Sequence, residues 1–63
     1  MANRILRRPH VEEATGLSGS TIYRKIKDGE FPRPIPLGAR AVGWLESDVQ
    51  KFLQACIDKA RAT

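Results

Sequence analysis

Prolines at three alternate positions, Pro32, Pro34 and Pro36, forbid an α-helix through the middle of this chain. Each lacks the N–H that a helix interior needs, and its ring clashes with the preceding turn. Alternating prolines are tolerated at the edge of a sheet, where a missing donor faces solvent, so this stretch reads as an edge strand. A second run, Ala41 to Leu45, carries Val42 and Trp44 in alternation, and Gly38-Ala39-Arg40 between the two runs reads as a turn. The pattern predicts a two-stranded hairpin over about residues 34–45. With 63 residues the chain has room for one domain, spanning 1–63, whose small core needs nearly every apolar side chain.

On the N-terminal side of the prolines, two glycines punctuate a helical pattern. Ile5 and Leu6 suit a short extended entry strand, and Pro9 suits the first turn of a helix, where its missing donor costs nothing. That first helix is expected over about 9–15, with Val11 and Ala14 inward and Glu12 and Glu13 near the positive end of its dipole. Gly16 ends it, because glycine enters the left-handed conformation without a Cβ clash. Leu17 then turns toward the core and Ser18 caps a second helix, expected over about 19–28 and stopped by Gly29. Ile22 and Ile26 lie four apart on one face of it. The same rotation throws Ser20, Arg24 and Lys27 to the opposite face and Tyr23 to the flank.

On the C-terminal side, Ser47-Asp48-Val49-Gln50 matches a capping box and predicts a third helix over about 47–61. Val49, Phe52, Leu53, Cys56, Ile57 and Ala60 recur at helical spacing as one apolar stripe, which makes Cys56 a packed, inert thiol. Trp44 and Phe31 read as core, since a base-stacking platform presents several aromatics and the whole chain has four. The fold class expected is therefore mostly α with a small β-hairpin, three helices plus a two-stranded wing.

The charge is unevenly placed. A net +4 and a pI near 9.9 favour a polyanionic partner. Arg24, Lys25, Lys27, Arg33 and Arg40 face only Asp28 and Glu30 within residues 20–45, while the last eighteen residues are balanced. A helix, a glycine-bearing turn and a second helix with a polar outer face form the arrangement that sets a recognition helix into the DNA major groove. No paired carboxylates, no nucleophile with a base and no phosphate-cradling glycine loop support an enzyme, so no catalytic residue is assigned. His10 has no second histidine or cysteine near it, and neither a metal nor a cofactor is expected. One cysteine and no apolar run of membrane-spanning length predict a chain of the reducing cytoplasm with no membrane partner.

Three ordered stretches carry a more specific likeness. They are Thr15-Gly16-Leu17-Ser18 with Ser20-Thr21-Ile22-Tyr23-Arg24; Gly29-Glu30-Phe31-Pro32; and Leu37-Gly38 through Ala41-Val42-Gly43-Trp44 and Glu46-Ser47-Asp48-Val49. From Ile5 to Phe52 the chain resembles the AlpA family of prophage regulators and excisionase-like proteins, related in fold to the DNA-binding heads of MerR-type regulators. The resemblance implies a winged helix-turn-helix that binds operator or attachment-site DNA. It places Ser20, Thr21, Tyr23 and Arg24 on the recognition helix and Arg40 at the wing tip. Gly19 departs from the family's habit of a bulkier or basic residue, and His10 stands where an acidic or polar one is commoner.

Within that frame Arg24 either reads a guanine with its planar fork or clamps a phosphate. Lys27 suits phosphate contact, and Ser20 and Thr21 stand in the first turn, where hydroxyls and free N–H groups meet an anion. Tyr23 either touches DNA or bridges helix and wing. Arg40 suits a minor groove or a flanking phosphate. Arg4, Arg7 and Arg8 are expected as an arm along the backbone, with Ser18, Lys25 and Arg33 as further backbone contacts. The partner expected is double-stranded DNA, with self-association on it. Three functions fit: a sequence-specific transcriptional regulator, an excisionase that bends attachment-site DNA beside an integrase, or a protein-interaction adaptor, which would need an exposed apolar patch.

Overall fold

The glycine and proline signals act where expected. In the computed structural model, which describes residues 4–62, the elements run β1 (Ile5–Leu6), α1 (Arg8–Thr15), α2 (Gly19–Lys27), β2 (Ile35–Pro36), β3 (Val42–Leu45) and α3 (Glu46–Arg61). Thus α1 and α3 each start one residue before the expected position, α2 ends one residue early, and the strands occupy only part of 34–45. Gly16 closes α1 at φ 73°, its N–H donating to the Glu12 carbonyl. Gly29, at φ 76°, closes α2. There the Gly29 N–H reaches the Ile26 carbonyl (3.1 Å) and the Glu30 N–H the Lys25 carbonyl (2.7 Å), which is the Schellman pattern that only a left-handed residue completes without strain.

The sheet corrects the two-stranded expectation. Three antiparallel strands lie in the order β1-β3-β2, with Ile5 opposite Leu45, Leu6 opposite Trp44, Ile35 opposite Gly43 and Pro36 opposite Val42. The reason is that β3 has two edges. The proline-bearing β2 takes one, leaving the other open to the lead-in segment just before α1. Leu37 N–H donates to the Ala41 carbonyl (2.7 Å) and closes the β2–β3 turn.

The buried side chains come one from each part of the chain: Leu6 of β1, Val11 of α1, Ile22 of α2, Phe31 from the loop, Trp44 of β3 and Val49 of α3. Leu17, Ile26, Val42, Phe52 and Leu53 pack around them. Trp44 sits at the centre, edge-on to Tyr23 (6.3 Å) and Phe31 (6.4 Å), and Phe31 meets Phe52 at 4.6 Å. Its indole N–H is satisfied by the Pro32 carbonyl at 2.9 Å, which anchors the proline segment to β3.

Four local expectations fail. Ala14 is exposed, not inward, because the buried face of α1 is centred between Val11 and Thr15; the half-buried Thr15 hydroxyl donates to the Val11 carbonyl at 2.8 Å. Glu12 and Glu13 lie beyond the first turn of α1, since the helix opens at Arg8 with no acid in that turn. The capping box does not form. β3 runs directly into α3 with Leu45 as the N-cap and no side-chain cap, and the Glu46 N–H goes instead to the Arg4 carbonyl at 2.7 Å, with Glu46 and Asp48 meeting the helix dipole. The apolar stripe of α3 is buried only at its start: Val49 is fully covered, Phe52 and Leu53 are half-buried, and Cys56 and Ile57 are exposed because the body of the molecule ends before the helix does.

Gly43 is a position the sequence pattern did not single out. A Cβ there would collide with Ile5 Cγ2 and lie 3.1 Å from both Leu37 Cδ1 and the Leu6 carbonyl oxygen. Gly43→Ala is expected to cost about 1–3 kcal/mol as an overpacked site, lowering the melting temperature by roughly 4–8 °C per kcal/mol. Circular-dichroism melts check this, and an unchanged melt would mean that β1 does not press on β3. Phe52→Ala is expected to cost about 2 kcal/mol, below the range for a fully buried ring, while Ile57→Ala stays within about 0.5 kcal/mol; equal losses in urea titrations would contradict the exposure of the α3 tail.

Candidate nucleic-acid interface

The surface opposite the core of α2 follows from one buried residue. Ile22 is completely covered and Ile26 packs beside it, so the helical rotation turns Ser20, Arg24 and Lys27 out to solvent, where all three are exposed. The start of the helix is organised by Ser18. Its oxygen accepts from the Thr21 N–H (3.3 Å), its hydroxyl donates to Thr21 Oγ1 (2.9 Å), and it lies 3.3 Å from the Ser20 hydroxyl. Three hydroxyls are thereby gathered at the positive end of α2, beside N–H groups with no helical partner.

The two flanks of α2 differ. Tyr23, 43% exposed, leans its ring edge on Trp44 and lines a cleft with Arg7, Arg8, Pro9, Arg40 and Val42. Of the two roles open to Tyr23, its contact with Trp44 joins helix to hairpin while leaving much of the ring at the surface. Lys25 lies on the other flank, half-buried toward Phe52, Cys56 and Lys59, with its ammonium 3.7 Å from Glu30. Arg33 is exposed in the segment leading to β2, apart from the residues that line the cleft.

The expected N-terminal arm is corrected for the residues described. The Arg4 carbonyl is tied to α3, residues 5–6 form β1, Arg7 is the N-cap of α1 and Arg8 its first residue. Pairing of β1 with β3 therefore carries Arg7 and Arg8 to the side of the hairpin that holds Arg40. Sequence spacing could not show this, because Arg8 and Arg40 meet only through that pairing. Arg24, Arg40, Arg7 and Lys27 have no ion-pair partner among the described residues, whereas Arg8 pairs with Glu12 at 3.3 Å. Guanidinium groups and hydroxyls with so few acids among them suit the phosphate oxygens of a polyanion. No group of three metal-ligating side chains and no helix long and apolar enough to cross a membrane occurs among the described residues.

Comparison with known proteins is consistent with this surface. Residues 4–57 match the model of the family described as prophage CP4-57 regulatory protein (AlpA). The chain is 48% identical over 50 residues to the ORF88 protein of Enterobacteria phage P4, a match covering 79% of this chain and 57% of that relative's length. It is 39% identical over 62 residues to a protein of Escherichia coli (strain K12) named DNA-binding transcriptional activator AlpA, covering 87% of this chain and 89% of the relative.

Loss of the α2 cap is the simplest test of the local geometry. Ser18→Ala is expected to cost about 1 kcal/mol of stability, measured as a shift of the urea midpoint at constant slope. No shift would mean that the Ser18 oxygen does not hold the first turn.

Proposed function

This chain belongs to the AlpA family of prophage regulatory proteins, and from that premise we propose that it binds double-stranded DNA sequence-specifically as a small transcriptional regulator of the phage or prophage type. The observation that carries the reading is the outer face of α2. Ser20, Arg24 and Lys27 project from it together, with the cleft of Arg7, Arg8, Tyr23 and Arg40 alongside. In this reading α1, the 16–18 turn and α2 act as a helix-turn-helix, α2 enters the major groove, and the β2–β3 hairpin is the wing that brings Arg40 to the neighbouring backbone. The Escherichia coli relative, named as a DNA-binding transcriptional activator, supports it.

The roles divide by chemistry. Arg24, at the middle of the exposed face, takes the base-reading position, where its fork can donate two bonds to one guanine. Lys27 and Arg40 take phosphates, which set register without reading sequence. Ser20 and Thr21 add hydroxyl donors at the helix start, where the dipole already favours an anion. Tyr23 sets the distance between helix and wing through Trp44.

Selection of bound duplexes from a random-sequence pool, followed by sequencing, tests the proposal. One enriched motif supports it, and no retained duplex at moderate salt overturns it. On the selected duplex Arg24→Ala is expected to cost about 1–3 kcal/mol and to relax the preference at one base position. Arg40→Ala is expected to weaken binding to selected and unselected duplexes alike and to lower the salt slope by about 1, measured by fluorescence anisotropy; an unaltered slope removes Arg40 from the interface.

A further inference from the structure

Gly19 leaves the first position of α2 without a side chain, and two residues of α1 occupy the space. A Cβ on Gly19 would lie 3.0 Å from Glu12 Oε2, 3.5 Å from Arg8 Cδ and 3.8 Å from Arg8 Nε. The Arg8–Glu12 pair, 3.3 Å from Nε to Oε2, therefore lies flush against the start of α2, where a residue-19 side chain would begin. Gly19 and Tyr23 are four apart and share a flank of that helix. Arg8 also borders the cleft lined by Tyr23 and Arg40, so it lies near both the first turn of α2 and the hairpin.

As a stabilising contact an exposed pair of this kind adds little. Its geometric effect is larger. The pair holds the Arg8 side chain near the start of α2 while 57% of that side chain stays open to solvent, and among the described residues it has no other ion-pair partner.

We propose that Arg8, positioned by Glu12 and admitted by Gly19, is a phosphate-contacting residue that α1 contributes to the DNA-binding surface beside α2. The proposal rests on the DNA-binding reading above. Glu12 is then a positioning residue: its carboxylate faces a polyanion, and its value lies in holding Arg8.

Salt-dependent binding of the full chain to a duplex selected from the random pool tests this, with melting curves to check that each variant folds. Arg8→Ala is expected to weaken binding roughly fivefold to tenfold near 0.1 M salt and to lower the salt slope by about 1. Glu12→Ala removes a negative charge, so simple electrostatics predicts tighter binding; loss of positioning predicts weaker binding. Glu12→Gln, which removes the same negative charge but keeps a polar side chain beside Nε, is expected to bind more tightly than Glu12→Ala. Gly19→Ala, whose Cβ would press on the Glu12 carboxylate at 3.0 Å, should change binding in the same direction as Glu12→Ala and add nothing in an Arg8→Ala background. An unchanged slope for Arg8→Ala, or tighter binding by Glu12→Ala with Arg8 in place, overturns the proposal while the parent chain still binds. Failure of the parent chain to bind any duplex would bring down the DNA-binding reading and this proposal with it.

Discussion

The fold depends on the burial of one indole. Trp44 lies on the central strand, fully covered, with Tyr23 of α2 and Phe31 of the loop against its ring and the Pro32 carbonyl on its N–H. A domain of 63 residues buries a smaller fraction of its surface than a larger one, so each covered side chain carries a larger part of the stability. Trp44 also sets distances across the candidate interface. The ring that it presents to Tyr23 fixes how closely α2 approaches the hairpin, and the bond to Pro32 holds the segment that leads into β2.

A core assembled from single contributions has a consequence for the surface. Because each helix and the strands β1 and β3 bury about one large side chain apiece, each leaves most of its surface to solvent, and the sorting of charge over that area is free of packing demands. Lys25 and Glu30 neutralise each other on the α3 side of α2, while Ser20, Arg24 and Lys27 remain unopposed on the outer face. Long-range attraction to a polyanion then has a direction, since the net positive charge lies on the α2 and hairpin side while acids and bases cancel along α3. Net charge alone carried no such information.

Much of this was legible in the chain. Glycine at a left-handed helix end, proline in an edge strand, a serine before a helix and two isoleucines four apart each act through local backbone or rotational constraints, and those are written in neighbouring residues. The failures share a different cause. The motif around Ser47 reads as a cap only if a loop precedes it; here a strand does and runs into α3 at Glu46, whose N–H donates to the Arg4 carbonyl about forty residues away in sequence. The period of α3 correctly identified an apolar face, yet period says nothing about how far the opposing body extends, so Cys56 and Ile57 lie beyond it. Gly43 looked like an ordinary strand residue because the pressure on it comes from Ile5, across a pairing that two residues of lead-in hardly announce.

The unannounced pairing matters most for the site. β3 is hydrogen-bonded on both edges, so the hairpin that carries Arg40 and the strand that precedes Arg7 and Arg8 share a backbone framework. Arginine side chains lose rotamer freedom when they bind, but their Cα positions are already set here by a sheet, a helix start and a tight turn. A surface so arranged needs less ordering at the moment of association than a flexible basic arm, and the entropy that an arm would lose is instead lost during folding. In so small a domain that transfer is a physical advantage of the third strand: besides burying Leu6, it converts three separate arginines into one spaced set.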